Sequence, residues 1–109
     1  MPKTSSALKS ASLIALVLIA GCTAANPLES NVIARAHLDP QAAPEYFMSR
    51  IEAGATPAEQ AIYMYGTGLA HEKTGHFRQA IDDYICADLL GEPRAKLALN
   101  RLRPLKKTD

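Results

Sequence analysis

The chain has 109 residues, with 12 Lys and Arg against 11 Asp and Glu and a formal net charge of +1. So even a balance excludes a dedicated nucleic-acid binder, which would be clearly basic. Two cysteines are too few for a disulfide framework, so packing must hold any fold together.

Residues 11–20, ASLIALVLIA, are apolar apart from Ser12; Met1, Lys3 and Lys9 precede them, with no acidic residue. A basic start, an apolar run of about ten residues and small residues after it make a secretory signal. A spanning helix needs about 20 apolar residues. A buried core helix would show a polar stripe, which this run lacks.

Ile19-Ala20-Gly21-Cys22 follows and resembles the lipobox of bacterial lipoproteins, with Ile where Leu is commoner. The resemblance covers residues 1–22. It implies cleavage between Gly21 and Cys22, a diacylglycerol thioether on Cys22 and usually a further N-acyl chain. At about 0.8 kcal/mol per buried methylene, two or three chains anchor a small protein essentially for good. The alternative for Cys22 is a buried thiol or a disulfide with Cys86. Thr23, rather than Asp, follows the Cys. By the same resemblance this implies an outer-membrane anchor facing the periplasm, in a host with two membranes.

Removal of residues 1–21 from 109 leaves 88, and loss of Lys3 and Lys9 leaves ten basic residues against eleven acidic ones. That suits one small, near-neutral domain with a modest core. Residues 22–27 are the lipidated N-terminus and a short tether of small and polar residues. Leu28, Val32, Ile33 and Ala36 mark a short helix over 28–38, stopped by Asp39-Pro40. Pro44 and Gly54 bracket a second, over 44–53.

Thr56-Pro57-Ala58-Glu59 is a capping box with proline at the first helical position. Ala58, Ala61, Ile62, Tyr65 and Leu69 keep helical spacing up to the Lys73-Thr74-Gly75 exit. Phe77, Ala80, Ile81, Tyr84, Ala87 and Leu90 mark the next helix, which Gly91 ends. Ala95, Ala98, Leu99 and Leu102 mark a last one, from Pro93 to a stop at Pro104. No segment alternates with period two, so the fold class is all-α, with about five short helices in a domain over 28–104. A basic tail, 105–109, follows.

Gly66 and Gly68 each cost about 1 kcal/mol relative to Ala inside a helix. Either the helix breaks there or another helix approaches closely; apolar spacing that continues from Tyr65 to Leu69 favours close approach. The stretch 57–93 resembles a tetratricopeptide repeat, a pair of antiparallel helices with small residues at their contact. In that frame Gly68 and Ala80 are the small contact positions, Gly75 the turn, and Phe77, Tyr84 and Ala87 the packing residues beside Tyr65. Pro93 closes the repeat one place late, and Met64 and His71 stand where large aromatics are expected. Ala80, Tyr84, Ala87, Gly91 and Ala95 also resemble a Sel1-like repeat. Both belong to the α-solenoid class, in which a repeat buries its faces only against neighbours. Helices 28–38 and 44–53 are a candidate degenerate preceding unit. Either the flanking helices complete a small bundle, or an apolar face awaits a partner.

Chemistry-bearing residues are sparse. His71 and His76 are five apart across a glycine turn, whereas the zinc motif H-E-x-x-H needs two histidines four apart on one face, so both read as polar surface. His37 stands alone. Asp82 and Asp83, near Asp88, point in different directions on a helix and read as a solvated face. Cys86 reads as a reduced thiol in the core. Arg94, Lys96, Arg101, Arg103, Lys106 and Lys107 make a basic stretch, read as a solvated face or as a contact for anionic lipid or an acidic partner.

No catalytic residue, metal site or cofactor is expected beyond the lipid on Cys22. The expectation is a non-enzymatic, membrane-anchored lipoprotein that binds another envelope protein, as an accessory subunit of a secretion or assembly machine. Tyr63, Tyr65 and His71 are the candidate partner-binding residues. The alternative is a structural module that self-associates to complete its solenoid.

Overall fold

The computed structural model describes residues 27–108. The signal segment 1–21, the cleavage pair Gly21 and Cys22, and the lipid site Cys22 lie outside the described residues. Five helices follow in order: α1 (Pro27–Leu38), α2 (Ala43–Glu52), α3 (Pro57–Lys73), α4 (Phe77–Leu89) and α5 (Pro93–Thr108). Among the described residues there is no strand, so the fold is all-α.

Local chemistry accounts for the boundaries. Thr56 Oγ1 accepts the Glu59 N–H at 3.2 Å, and the Glu59 carboxylate accepts the Thr56 N–H at 2.9 Å, closing the capping box at the start of α3. Gly75 and Gly91 take φ of +83° and +103°, the left-handed region that glycine enters without a Cβ penalty. Each ends its helix with paired back-bonds, His76 N–H to His71 C=O at 2.8 Å and Glu92 N–H to Ala87 C=O at 2.9 Å. The expected stop at Pro104 is corrected: α5 continues to Thr108. A proline deletes one N–H and crowds one carbonyl; here the helix resumes its bonding beyond that gap, so residues 105–108 belong to α5 rather than to a tail.

α3 is the wall shared by two cores. On one side Ile62, Tyr63 and Ala70 pack with Val32 and Ala36 of α1 and Phe47 of α2. On the other, Met64 and Tyr65 pack with Ala80, Ile81, Tyr84 and Ala87 of α4 and Ala95, Ala98 and Leu102 of α5. A helix buried on two sides needs small or apolar residues around most of its circumference. Gly66, Thr67 and Gly68 are accordingly all buried. A Cβ on Gly66 would lie 2.8 Å from Phe47 Cε2 and closer still to Val32 Cγ1; one on Gly68 would lie 2.5 Å from Tyr84 Cε1. Both glycines therefore mark close approach within an unbroken helix, and the space they leave is filled by side chains. Thr67 satisfies its buried hydroxyl by donating to Tyr63 C=O at 3.0 Å.

The expectation for Cys86 is corrected: the thiol is exposed and free. α4 buries Ala80, Ile81, Tyr84 and Ala87, and position 86 falls on the opposite side of that stripe.

Candidate functional site: an arginine-rimmed groove between the first two helices

Few residues bridge α1 and α2 directly; each leans instead on α3. The opening between them is a groove of about 500 Å³, within the size range of ligand sites. Val32 and Phe47 form its buried floor, and Tyr46, Arg35 and Arg50 stand on its rim. Tyr63 closes the floor from α3, with its ring 5.9 Å from that of Phe47.

Both arginines neighbour tyrosines of the groove. The Arg35 guanidinium lies 3.8 Å from the Tyr46 ring centroid, a cation–π contact that fixes its height and direction. The Tyr63 hydroxyl as a hydrogen-bond acceptor, and then the phenol of Tyr46, push the Arg50 guanidinium above its ordinary value. Asp39 also lines the groove, yet among the described residues neither arginine has a carboxylate within salt-bridge distance. The Glu59 carboxylate, which also acts on Arg50, is engaged at the Thr56 cap.

The three tyrosine and histidine candidates do not converge. Tyr63 is 7 % exposed and belongs to the first core. Tyr65 faces the other way, 5.7 Å from the Tyr84 ring, and burial raises its pKa. His71 donates from Nδ1 to Asp83 Oδ2 at 2.6 Å. It lines a separate groove with His76, Lys73, Thr74 and Glu45. The expectation that His71 and Asp83 are merely solvated surface is corrected: both are half-buried and bonded to each other. Burial raises the Asp83 carboxyl above its ordinary value, and the His71 bond opposes that shift.

The packing candidates do meet. Gly68 lies against Tyr84, and Ala80, Tyr84 and Ala87 are fully buried, with Tyr65 and Phe77 packed against them. The buried Tyr84 hydroxyl donates to Glu72 Oε1 at 2.7 Å, while the other Glu72 oxygen accepts from Arg101. Burial and then the Glu72 carboxylate push the Tyr84 phenol up. Arg94 pairs with Glu29 at the start of α1. Two charges of the basic stretch are thus neutralised within the domain, leaving Lys96 and Arg103 exposed on the described part of α5.

No family model, curated protein or solved structure matches the chain. Among the described residues, no three His, Cys, Asp or Glu side chains could hold a metal ion together. The rim arginines carry no sequence signal of their own: Arg35 and Arg50 are ordinary surface positions on two short helices. The Glu72–Tyr84 and His71–Asp83 pairs do carry one. Each joins residues 12 apart across the Gly75 turn, the register of an antiparallel helix pair.

Proposed function

We propose that the chain is a membrane-anchored, non-enzymatic lipoprotein that binds another envelope protein. The observation that carries this reading is the groove between α1 and α2, where an exposed tyrosine, an exposed leucine and two arginines without carboxylate partners among the described residues rim a buried apolar floor. Tyr and Arg over an apolar floor are the side chains on which protein interfaces concentrate their binding energy. The lipobox-like Ile19-Ala20-Gly21-Cys22 supplies the anchor, and confinement to a membrane raises the effective concentration of a neighbour there. The α3–α4 pair, with Gly68 and Ala80 at its contact, is read as one repeat of the tetratricopeptide or Sel1-like class. The preceding α1–α2 pair is a degenerate unit that leaves its outer face open. An accessory role in a secretion or envelope-assembly machine in the outer membrane fits this design by analogy.

The test is Cys22→Ser in the full chain, expressed with an alkyne-palmitate label. The wild type is expected to carry the label and sediment with membranes, and a photo-cross-linker at Tyr46 to trap one discrete envelope protein. A Cys22→Ser chain that keeps label and membrane association would remove the anchor from this reading.

Self-association is the second reading, favoured by Ile85 and Leu89, which lie 43 % and 81 % exposed on α4. Concentration-dependent mass in light scattering supports it; a monomer at high concentration ends it.

A further inference from the structure

The domain contains two contrasting pairs of arginines. On α5, Arg94 and Arg101 each pair with a glutamate from another helix, Glu29 and Glu72. In the α1–α2 groove, Arg35 and Arg50 have no carboxylate within reach among the described residues. Arg35 is stacked on Tyr46, and Arg50 lines the same groove beside Tyr46 and Tyr63. A guanidinium stacked on a ring loses less freedom when it takes up an acceptor, so the stacked Arg35 favours bidentate capture of a carboxylate, with Arg50 a second cation in the same groove. Two of them against the single Asp39 leave the groove with a net positive charge.

The groove adds apolar demands to that charge. Val32 and Phe47 are 2 % and 0 % exposed at its floor, while Leu38 is 85 % exposed at its edge. A ligand that satisfies both features carries an apolar group between acidic ones. An open groove about 500 Å³ in size suits a few consecutive side chains of an extended segment better than a buried acyl chain. A flat bilayer surface does not enter it. A polyanion such as nucleic acid finds no supporting basic field on a near-neutral chain.

Resting on the reading of the chain as a partner-binding module, we propose that the α1–α2 groove binds an extended acidic segment of a partner protein, its carboxylates taken by Arg35 and Arg50 and an intervening apolar side chain seated against Leu28 and Leu38 at the groove's edge. The arginines set affinity and salt dependence; the apolar edge selects which acidic segments fit.

The probe is a fluorescent peptide pool of the form Glu-Φ-Glu-Φ-Glu, with Φ drawn from Leu, Ile, Val and Phe. It is titrated by anisotropy against the full lipidated chain in neutral phosphatidylcholine nanodiscs. Matched pools carry Gln or Lys for Glu, and phenylbutyrate represents a small apolar carboxylate. The acidic pool is expected to bind about tenfold or more tightly than the Gln pool, as for charge-assisted bonds, and to weaken steeply with salt. Arg35→Gln/Arg50→Gln is expected to abolish that preference, and Arg78→Gln, on α4 outside the groove, to retain it, with unchanged thermal unfolding in both. Equal binding of the Glu and Gln pools, or no binding of the Glu pool by about 1 mM, overturns the proposal. So does a preference that survives in the double variant, or phenylbutyrate binding as tightly as the acidic peptides. If the Tyr46 cross-linker still traps an envelope protein in any of those cases, the partner-binding reading stands and only the ligand class falls.

Discussion

The two sides of α3 use the same residue types to opposite ends. Toward α4 and α5, a tyrosine hydroxyl and two arginines pair with carboxylates of the same chain, Tyr84 and Arg101 with Glu72 and Arg94 with Glu29, although Arg94 Nη1 is buried without a hydrogen-bond partner. Toward α1 and α2, two tyrosines and two arginines share a groove in which no carboxylate pairs with either arginine among the described residues. Arg35 and Arg50 are exposed on that side, where their guanidiniums can take up an acceptor from outside the chain. The closed side therefore reads as construction and the open side as recognition.

Removing the central ring of each core probes that difference most severely. Phe47 and Tyr84 are both 0 % exposed, and truncating a buried aromatic to alanine costs about 3–5 kcal/mol. Urea unfolding of Phe47→Ala and Tyr84→Ala should show losses of that order on both sides. Tyr84→Phe, which keeps the ring and deletes only the bond to Glu72, should lose about 1–2 kcal/mol. If Tyr84→Ala costs less than about 1 kcal/mol, the closed side is not the structural half.

The glycines sharpen the comparison within one helix. Gly66→Ala drives a methyl into Val32 and Phe47, and Gly68→Ala drives one into Tyr84. Overpacking of this kind costs about 1–3 kcal/mol, more than the roughly 1 kcal/mol that alanine returns in helix propensity. Both variants should melt lower than wild type. A higher melting temperature for either would mean that its neighbours move aside freely.

The smallest effect is pH-dependent and sits on the closed side. Burial raises the Asp83 carboxyl above its ordinary 3.8 despite the His71 bond. A folded-state value above the unfolded one stabilises the fold fully below the unfolded value, and that contribution disappears as pH rises through the folded value. The melting temperature of wild type relative to Asp83→Asn should fall as pH rises out of the acid range, then level off by neutral pH. Parallel curves for the two proteins would count against a buried, perturbed Asp83.

Features set by neighbours in sequence were legible from residues alone. The capping box at Thr56, the glycine exits at 75 and 91 and most helix bounds depend on residues a few places apart, and every helix start and the first four helix ends lie within a residue or two of their expected positions, while α5 runs past the expected stop at Pro104. The glycine contacts were half legible: close approach followed from continuous apolar spacing, but the occupants Val32, Phe47 and Tyr84 come from three other helices. Cys86 misled because its apolar neighbours in sequence, Ile85 and Ala87, lie on different sides of α4. The groove was not legible, because Arg35, Tyr46, Arg50 and Tyr63 meet only once three helices are placed. Tyr63 was singled out, and its ring closes the floor of that groove.

The shared wall has a kinetic consequence. Most packing joins helices that are consecutive or one removed in the chain, with α1, α2 and α4 all laid on α3. Chains dominated by such local contacts fold fast, in microseconds to milliseconds, and an element that serves both cores must be ordered before either can close. α3 is that element, which makes it the natural nucleus. The Glu29–Arg94 bond, spanning 65 positions, then acts as a late clasp drawing the first and last helices together. Its loss should speed unfolding and leave the folding rate nearly untouched.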